Sequence, residues 1–281
     1  MNIEGIDVSY YQGKIDWPKV AAAGKKFAII RSGDGTFLDP MYERNLEGAT
    51  AAGLKRLGVY HYLRFGVNPL DHISLCLRQL EVAKRINPNV WFWPDWEDAN
   101  AAFLALTVMQ RNHWASAFLC ELEDALTERW GTYTAKWWLD AYGVELGDFV
   151  GYAPLWVAQY PFYDGACQSD PTKAGLQPAL PQGWNDWAIW QYSSMGTCPG
   201  IEGYVDLDVA KPGVFKEGDM AITLVQRAGD DKVYFLAGGK LIWIPSQAIF
   251  HAAEYDENQI KVLPVDSPIW GLPVEGPHRP D

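Results

Sequence analysis

Residues 91–98 read Trp-Phe-Trp-Pro-Asp-Trp-Glu-Asp, an aromatic run that ends in three acidic side chains. Such a run predicts a buried strand, and residues two apart on a strand face the same side. Asp95 and Glu97 would therefore project together, with about 6–7 Å between their Cβ atoms. Aromatic neighbours remove water from such a pair and raise a carboxyl pKa, which suits cleavage of a glycosidic bond. The alternative is that Asp95 or Asp98 only caps the helix predicted to begin near residue 100.

The composition describes a well-packed globular protein with a large share of aromatic side chains. Of 281 residues, 48% are hydrophobic and 21% are charged, which excludes a disordered chain. The 14 Trp and 14 Tyr suit the apolar faces of sugar rings, and packing in the core is their competing role. A net charge of −12 argues against nucleic acid as a partner, because phosphate binding needs a basic face. No apolar run approaches the roughly 20 residues of a membrane span, so we expect no membrane insertion.

The cysteines and histidines form no metal-binding pattern, so we expect neither a metal site nor another cofactor. Cys76 and Cys120 lie in apolar, helical contexts and are predicted to be core residues. Whether Cys167 and Cys198 pair in a disulfide is left open by the sequence. The five histidines form no HxxxH motif, which argues against a zinc hydrolase.

Strand and helix patterns alternate along most of the chain. Eight segments are predicted as strands: 3–7, 27–31, 57–62, 90–97, 130–134, 154–158, 187–191 and 203–207. Helices are predicted after the first five strands, including one over 101–127, whereas the last three strands have no regular helices between them. This order predicts an α/β fold, an irregular TIM-like (β/α)5(β)3 barrel.

Acidic side chains recur at the ends of these predicted strands. Asp7 ends the first strand, Asp95 and Glu97 end the fourth, and Asp206 lies on the eighth. Barrel active sites gather at the C-terminal ends of the strands, and closure makes the first and eighth strands neighbours, so we expect the four carboxyls at one mouth. Crowded like charges raise one another's pKa and keep at least one acid protonated. In the structural alternative each acid caps a loop or pairs with a base, of which Arg31 is the obvious one.

Seven motifs follow one another in a fixed order: Gly5-Ile6-Asp7-Val8-Ser9 with Gln12-Gly13 and Ile15-Asp16-Trp17; Phe27-Ala28-Ile29-Ile30-Arg31; Ala52-Gly53-Leu54 with Gly58-Val59-Tyr60-His61-Tyr62; Asp95-Trp96-Glu97; Pro154-Leu155-Trp156-Val157-Ala158; Trp190-Gln191-Tyr192; and Val205-Asp206-Leu207. The set resembles the glycoside hydrolase family 25 lysozymes, the muramidases of many bacteriophage lysins and bacterial autolysins. Each motif is weak alone, but the ordered set is specific. It covers roughly residues 1–212, which we take as the catalytic domain.

The resemblance implies an eight-stranded barrel that hydrolyses the β-1,4 bond between N-acetylmuramic acid and N-acetylglucosamine in bacterial peptidoglycan. Carried over by position, Glu97 looks like the general acid and Asp95 like the group that stabilises positive charge. Asp7 and Asp206 look like the two further acids of the cleft, and Asp208 is a poorer match. The favoured family mechanism is retaining, with the substrate's acetamido group as nucleophile, and inverting attack by water is its rival.

Five residues are predicted to line the substrate site because of their motifs and their strand-end positions: Arg31, Tyr62, Tyr133, Trp156 and Gln191. Packing in the core is the competing role of the aromatic ones.

Residues 213–281 lie outside the resemblance and are predicted to form a small β-rich module with a Pro-rich tail. Strand patterns occur at 221–226, 232–236, 240–245 and 260–263, with a short helix near 246–253. Because lysins often join a catalytic domain to a wall-binding domain, wall binding is one interpretation of this module. A packing appendage or a dimerisation element is the other, and the oligomeric state is left open.

Two other functions compete with a muramidase: hydrolysis of chitin-like polymers, and non-catalytic sugar binding by a wall or virion protein. A pure binder needs no acid pair, so the four acids disfavour the second. Residues 1–5 have neither the basic start nor the apolar core of a signal peptide. With the resemblance, this predicts a phage endolysin that is made in the host cytoplasm and acts on the cell wall after release.

Overall fold

The computed structural model describes residues 2–126, 129–146, 153–161, 167–215, 223–237, 240–244, 260–263, 265, 270 and 274–275. The chain divides into two compact units. The first comprises Met1–Ala125 and Arg129–Lys216, and the second comprises Leu126–Glu128 and Glu217–Asp281.

The first unit is built on one sheet, whose strands are β1 (Ile3–Val8), β2 (Phe27–Asp34), β3 (Phe37–Leu38), β4 (Arg56–Tyr62), β5 (Trp91–Trp96), β6 (Thr132–Thr134), β7 (Leu155–Ala158), β8 (Ile189–Gly196) and β9 (Val205–Ala210). Their order is β1-β9-β8-β7-β6-β5-β4-β2-β3, and a further pairing of β1 with β2 closes eight of them into a barrel. The short β3, which is not among the eight predicted strands, forms a hairpin with β2. The predicted irregular barrel is confirmed.

The last barrel strand runs against its neighbours. β9 is antiparallel to both β1 and β8, whereas the other barrel pairs are parallel. Its first residues therefore lie at the rim where the parallel strands end. Asp206, the second residue of β9, is for this reason placed directly opposite Asp7.

Aromatic rings fill the barrel interior, and glycines on adjacent strands leave room for them. Trp93 lies on the same face of β5 as Asp95 and is fully buried. A Cβ atom would lie 2.9 Å from the Trp93 ring at Gly58 and 2.2 Å from it at Gly131. Trp93 also packs edge-on against Trp156, with 6.0 Å between ring centroids. Some of the aromatic side chains therefore pack in the core, which was the alternative to sugar binding.

Six described helices lie between the strands: α1 (Trp17–Ala22), α2 (Tyr42–Ala51), α3 (Pro69–Ile86), α4 (Ala101–Leu104), α5 (Val108–Ala125) and α6 (Lys136–Tyr142). The helix predicted over 101–127 is two helices, because Thr107 and Gln110 form a reciprocal cap at the start of α5. Among the described residues, no helix combines the length and the hydropathy needed to span a bilayer.

The second unit contains a five-stranded sheet made of β10 (Thr223–Arg227), β11 (Val233–Ala237), β12 (Lys240–Ile244), β13 (Lys261–Leu263) and β14 (Val274–Glu275). Their order is β13-β10-β11-β12-β14. The three central strands are antiparallel, and β13 and β14 pair in parallel at the edges. This sheet agrees with the predicted β-rich module. The helix predicted near 246–253 lies outside the described residues.

Candidate active site

A cleft of about 310 Å³ opens at the rim of the barrel where the parallel strands end. All nine residues that the sequence assigned to the site line it: Asp7, Arg31, Tyr62, Asp95, Glu97, Tyr133, Trp156, Gln191 and Asp206. Each of the eight barrel strands supplies one of them, and Glu97 follows directly after β5. Residues that are remote in sequence therefore meet at one mouth.

Strand pairing determines which side chains face each other in the cleft. Asp7 and Asp206 are register partners, which places their Cβ atoms about 4.5–5.5 Å apart. Asp95 is paired with Tyr62 on one side and with Tyr133 on the other.

Burial raises the pKa of all four acids. Asp7 and Asp95 are 3% and 2% exposed, whereas Glu97 and Asp206 are half-buried. Loss of water is the largest cause in each case, and it raises the pKa of Asp7 to about 6 and that of Glu97 to about 7. The pKa values of Asp95 and Asp206 lie well above the ordinary carboxyl value, because neighbouring carboxyls add to the effect of burial. The cleft therefore holds protons near neutral pH, as general acid catalysis requires.

Two tyrosines hold Glu97 in place. Tyr62 Oη donates to the Glu97 backbone carbonyl at 3.1 Å, and Tyr133 Oη lies 3.4 Å from Glu97 Oε2. After burial, the charge of Asp7 also raises the Glu97 pKa, while Tyr133 and Arg64 oppose the rise. Glu97 is therefore fixed through both its backbone carbonyl and its side-chain carboxyl.

Asp95 differs from its neighbours in hydrogen bonding. Its Oδ1 atom is buried and has no partner among the residues that the structure describes. An oxygen that has lost water without gaining a donor costs free energy, which a ligand with an N–H or O–H group removes. Asp95 thus offers an acceptor to a molecule in the cleft.

Asp7 accepts hydrogen bonds from three side chains. Gln191 Nε2 donates to Asp7 Oδ2 at 2.7 Å, and Asp206 and Asp208 also hydrogen-bond to it. Asp208, the poorer match by sequence, is fully buried and accepts from Trp156 Nε1 at 2.9 Å. Asp208 is therefore a fifth acid that adjoins the cleft without lining it.

Six further residues line the cleft and were not assigned by the sequence: Ser9, Tyr11, Gln12, Asp34, Tyr60 and Arg64. Ser9 and Gln12 belong to the first of the seven sequence motifs, so the sequence could have identified them as site residues. Arg64 bonds to Asp34 at 2.5 Å and to the fully buried Asp98 at 3.0 Å. These partners lie 30 and 34 residues away in the sequence, and no local pattern joins them.

Arg31 lines the cleft, but its charge is neutralised elsewhere. Its Nε atom donates to the buried Asp39 at 2.9 Å, and its guanidinium lies 4.9 Å from the Tyr10 ring centroid and 5.3 Å from that of Tyr11. The suggestion that Arg31 pairs with one of the four acids is therefore wrong.

The alternative in which Asp95 or Asp98 only caps the following helix is also wrong. Asn100 caps α4, accepting from the backbone N–H of Phe103 at 2.9 Å. Asp98 accepts from the backbone N–H of Asn100 at 3.2 Å, but it also binds Arg64 and the backbone N–H of Phe65, so it does more than cap the helix. Asp95 lines the cleft.

One cluster outside the cleft has the composition of a metal site. His61, His72 and Cys76 are buried, with ligand atoms within 4.8 Å of one another. Both ring nitrogens of His61 already have partners, Ser32 Oγ at 2.9 Å and Gly35 O at 3.0 Å. The remaining His72 and Cys76 are fewer than the ligands of a protein zinc site, so we assign no metal to the cluster. All four cysteines are free thiols, which answers the open question about Cys167 and Cys198.

A closed barrel with buried carboxyls at one rim, one of them with a pKa near 7, is the arrangement of a glycoside hydrolase. A family model described as "Glycosyl hydrolases family 25" matches residues 6–201, and the chain belongs to that family.

Individual relatives agree with this family. Lysozyme M1 of Streptomyces globisporus is 30% identical over 211 residues, which cover 73% of this chain and 66% of that protein. The chain thus spans about two thirds of that relative's length. Two solved structures share the fold. A family 25 glycosyl hydrolase from Bacillus anthracis has a TM-score of 0.58 at 22% identity, covering 75% of this chain and 89% of that one. The catalytic domain of an endolysin from bacteriophage P40 of Listeria monocytogenes has a TM-score of 0.54 at 18% identity, covering 76% and 96%.

Proposed function

We propose that the protein is an N-acetylmuramidase, which hydrolyses the β-1,4 bond between N-acetylmuramic acid and N-acetylglucosamine in bacterial peptidoglycan. The observation that carries the proposal is Glu97, a half-buried carboxyl with a pKa of about 7, two residues after the buried Asp95. Membership of the family and the similarity to a lysozyme support the choice of substrate.

In this mechanism Glu97 donates its proton to the glycosidic oxygen as the bond from that oxygen to the anomeric carbon breaks. The carbonyl oxygen of the substrate's 2-acetamido group bonds to the anomeric carbon and leaves positive charge on the acetamido group. Asp95 stabilises this charge, and its unpartnered Oδ1 accepts the acetamido N–H. Water, deprotonated by Glu97, then opens the intermediate and restores the acetamido group. Overall configuration is retained.

The remaining predicted residues surround the reacting sugar in this proposal. Asp7 and Asp206 orient the reacting groups from the side of the cleft opposite β5, and Asp7 supplies negative charge when it is ionised. Tyr62, Tyr133, Trp156, Gln191 and Arg31 line the sugar-binding surface. Tyr11 adds a ring that is 73% exposed and also lines the cleft, which suits stacking on a sugar face.

Mass analysis of peptidoglycan digested by the intact protein tests this function. We expect N-acetylmuramic acid at the new reducing ends. N-acetylglucosamine at these ends would identify a glucosaminidase, and release from chitin but not from cell walls would favour the chitin-type hydrolase. Wall binding without any new reducing ends would favour the non-catalytic protein.

We further propose that the muramidase serves as a phage lysin. The same fold occurs in a bacterial and in a phage protein, so this role rests on the sequence resemblance and on the phage neighbour. Expression in a susceptible bacterium, followed by permeabilisation of the inner membrane, is the test. We expect rapid lysis only after permeabilisation, and lysis without it would contradict the role.

For residues 213–281 we propose a separate wall-binding module. Support comes from aromatic and cationic side chains in the second unit: Tyr234 packs edge-on against Trp270 at 6.0 Å, and the Arg227 guanidinium lies 6.0 Å from the Trp270 ring centroid. Sedimentation with cell walls of the full-length Glu97→Gln protein, with and without Trp270→Ala, tests it. We expect Trp270→Ala to weaken binding, and unchanged binding would favour a packing or dimerisation role.

A further inference from the structure

Gln191 connects the two sides of the cleft through three hydrogen bonds. Its Nε2 atom donates to Asp7 Oδ2 at 2.7 Å. Its Oε1 atom accepts from Tyr133 Oη and from Tyr160 Oη, each at 3.0 Å. Gln191 is 4% exposed, so its polar atoms satisfy these bonds without water. We propose that Gln191 is a positioning residue that keeps the general acid Glu97 protonated by competing with it for the Tyr133 proton. This rests on the muramidase function proposed above.

The Tyr133 hydroxyl has a single proton to donate. Two acceptors are near it, Gln191 Oε1 at 3.0 Å and Glu97 Oε2 at 3.4 Å. O–H···O bonds in proteins measure about 2.5–3.0 Å, so the Tyr133 proton belongs to Gln191. The hydrogen bond from Tyr133 to Glu97 is then weak, so Tyr133 lowers the Glu97 pKa less than a fully donating hydroxyl would.

The orientation of the Gln191 amide follows from its neighbours. A phenol donates readily, and two phenols converge on one end of the amide, which is therefore the oxygen. The nitrogen is left to face Asp7, and a donor favours the ionised carboxylate. Asp206 and Asp208 also hydrogen-bond to Asp7, which stabilises the same charge.

These contacts favour different protonation states in Asp7 and Glu97. A Tyr133 hydroxyl that donated fully to Glu97 would stabilise the ionised carboxylate, whereas a hydroxyl that donates to Gln191 leaves Glu97 to keep its proton. One carboxamide therefore favours a charged Asp7 and a neutral Glu97 at the same time. Opposite environments for neighbouring acids are the usual basis of acid and base assignments.

Other charged and titratable groups also face Glu97, and all of them except Tyr160 remain in every variant used below. They come from several elements: Asp7, Tyr62, Arg64, Asp95, Tyr160 and Asp206.

Carbon-13 NMR of the Glu97 side-chain carboxyl, assigned with Glu97→Gln, tests the proposal without requiring turnover. In Gln191→Met, Tyr133 is free to donate to ionised Glu97, so we expect the titration midpoint to fall by about one pH unit. Tyr133→Phe removes the donor, so adding it to Gln191→Met should return the midpoint to the parental value or above it. A midpoint that stays low in this double variant would show that Tyr133 does not carry the effect and would overturn the proposal.

Tyr160→Phe is the matched control. It removes a phenol that donates to the same Gln191 oxygen without a hydrogen bond to Glu97, so the Glu97 midpoint should stay in place. A Gln191→Met midpoint equal to that of the parent protein would also overturn the proposal. The basic limb of the hydrolysis profile should move with the midpoint. If the midpoints shift as expected but the parent releases no reducing ends, the muramidase function fails and the positioning role stands.

Discussion

Asp7 and Asp206 are direct register partners across β1 and β9, although 199 positions separate them in the chain. Because β9 runs antiparallel to β1, an acid at its beginning reaches the rim at which β1 ends. Each acid also hydrogen-bonds to the other, and both have raised pKa values, chiefly through burial. The reversed strand thus completes the carboxyl cluster on the side of the barrel opposite Glu97.

Replacing Glu97 with Gln should abolish catalysis and leave the fold intact. General acid catalysis contributes about 10²- to 10⁴-fold, so we expect a loss of that size in the rate of wall hydrolysis. Turbidity loss of purified cell walls measures the rate, and circular dichroism checks the fold. Glu121→Gln, which changes an exposed acid on α5, is the control and should keep the parental rate. Undiminished lysis by Glu97→Gln would rule out the assignment.

The protein should lose stability as the pH rises from about 4 to about 7, the range between the ordinary and the raised pKa values of Asp7 and Glu97. The pKa values of Asp7 and Glu97 are raised to about 6 and about 7 in the folded state, above the ordinary values of 3.8 and 4.5. The folded state therefore binds protons more tightly, and this contribution to the free energy of unfolding is lost as pH rises through the folded pKa values. Denaturant unfolding at several pH values measures how steeply the free energy of unfolding changes with pH.

Asp7→Asn should make that pH dependence shallower, because the carboxamide does not ionise. Asp124→Asn, which changes an exposed acid on α5, should leave the slope unchanged. Equal slopes in the parent protein and in Asp7→Asn would contradict the explanation by burial.

Removing the Tyr11 ring should weaken substrate binding more than the chemical step. Tyr11 is 73% exposed and lines the cleft, so Tyr11→Ala removes a contact surface without opening a core cavity. We expect KM to rise about 5- to 30-fold, the effect of losing about 1–2 kcal/mol of stacking, with kcat little changed. Trp137→Ala, at a ring that is 59% exposed and outside the cleft, is the control. Equal effects of the two substitutions would exclude a sugar platform at Tyr11.

Gly131→Ala should destabilise the barrel through the Trp93 ring. The new Cβ atom would lie 2.2 Å from Cζ3 of Trp93 and 2.7 Å from the backbone oxygen of Pro154. Overpacking of this kind costs about 1–3 kcal/mol, which denaturant unfolding measures. When Gly131→Ala is combined with Trp93→Phe, the loss in the free energy of unfolding should be less than the sum of the losses in the two single variants. The reason is that the smaller ring leaves room for the new Cβ atom. Additive costs would show that the ring is not the obstacle.

Local sequence patterns predicted much of this architecture because they act over a few residues. The α1 start at Asp16 and Pro18 follows from a side-chain cap and a fixed φ angle. The split between α4 and α5 was missed because the cap at Thr107 lies within a run of good helix formers. The β2–β3 hairpin was missed because its second strand is only two residues long.

Nine of the residues that line the cleft were also predicted from the sequence, since strand ends carry the side chains that meet at a barrel mouth. Arg64 was not, because its partners Asp34 and Asp98 become neighbours only when β2, β4 and β5 pair. The pairing of Arg31 with Asp39 was not visible either, since Asp39 reaches it only through the chain reversal after β2.

The sequence by itself determined the order of strands and helices and the positions of Asp7, Asp95, Glu97 and Asp206 at strand ends. Periodicity and capping are local, so one chain segment at a time decides them. Only the tertiary structure decided the ionisation of these acids. A carboxyl pKa depends on lost water and on donors from remote strands, such as Gln191 of β8 beside Asp7 of β1. Those neighbours exist only after the barrel has closed.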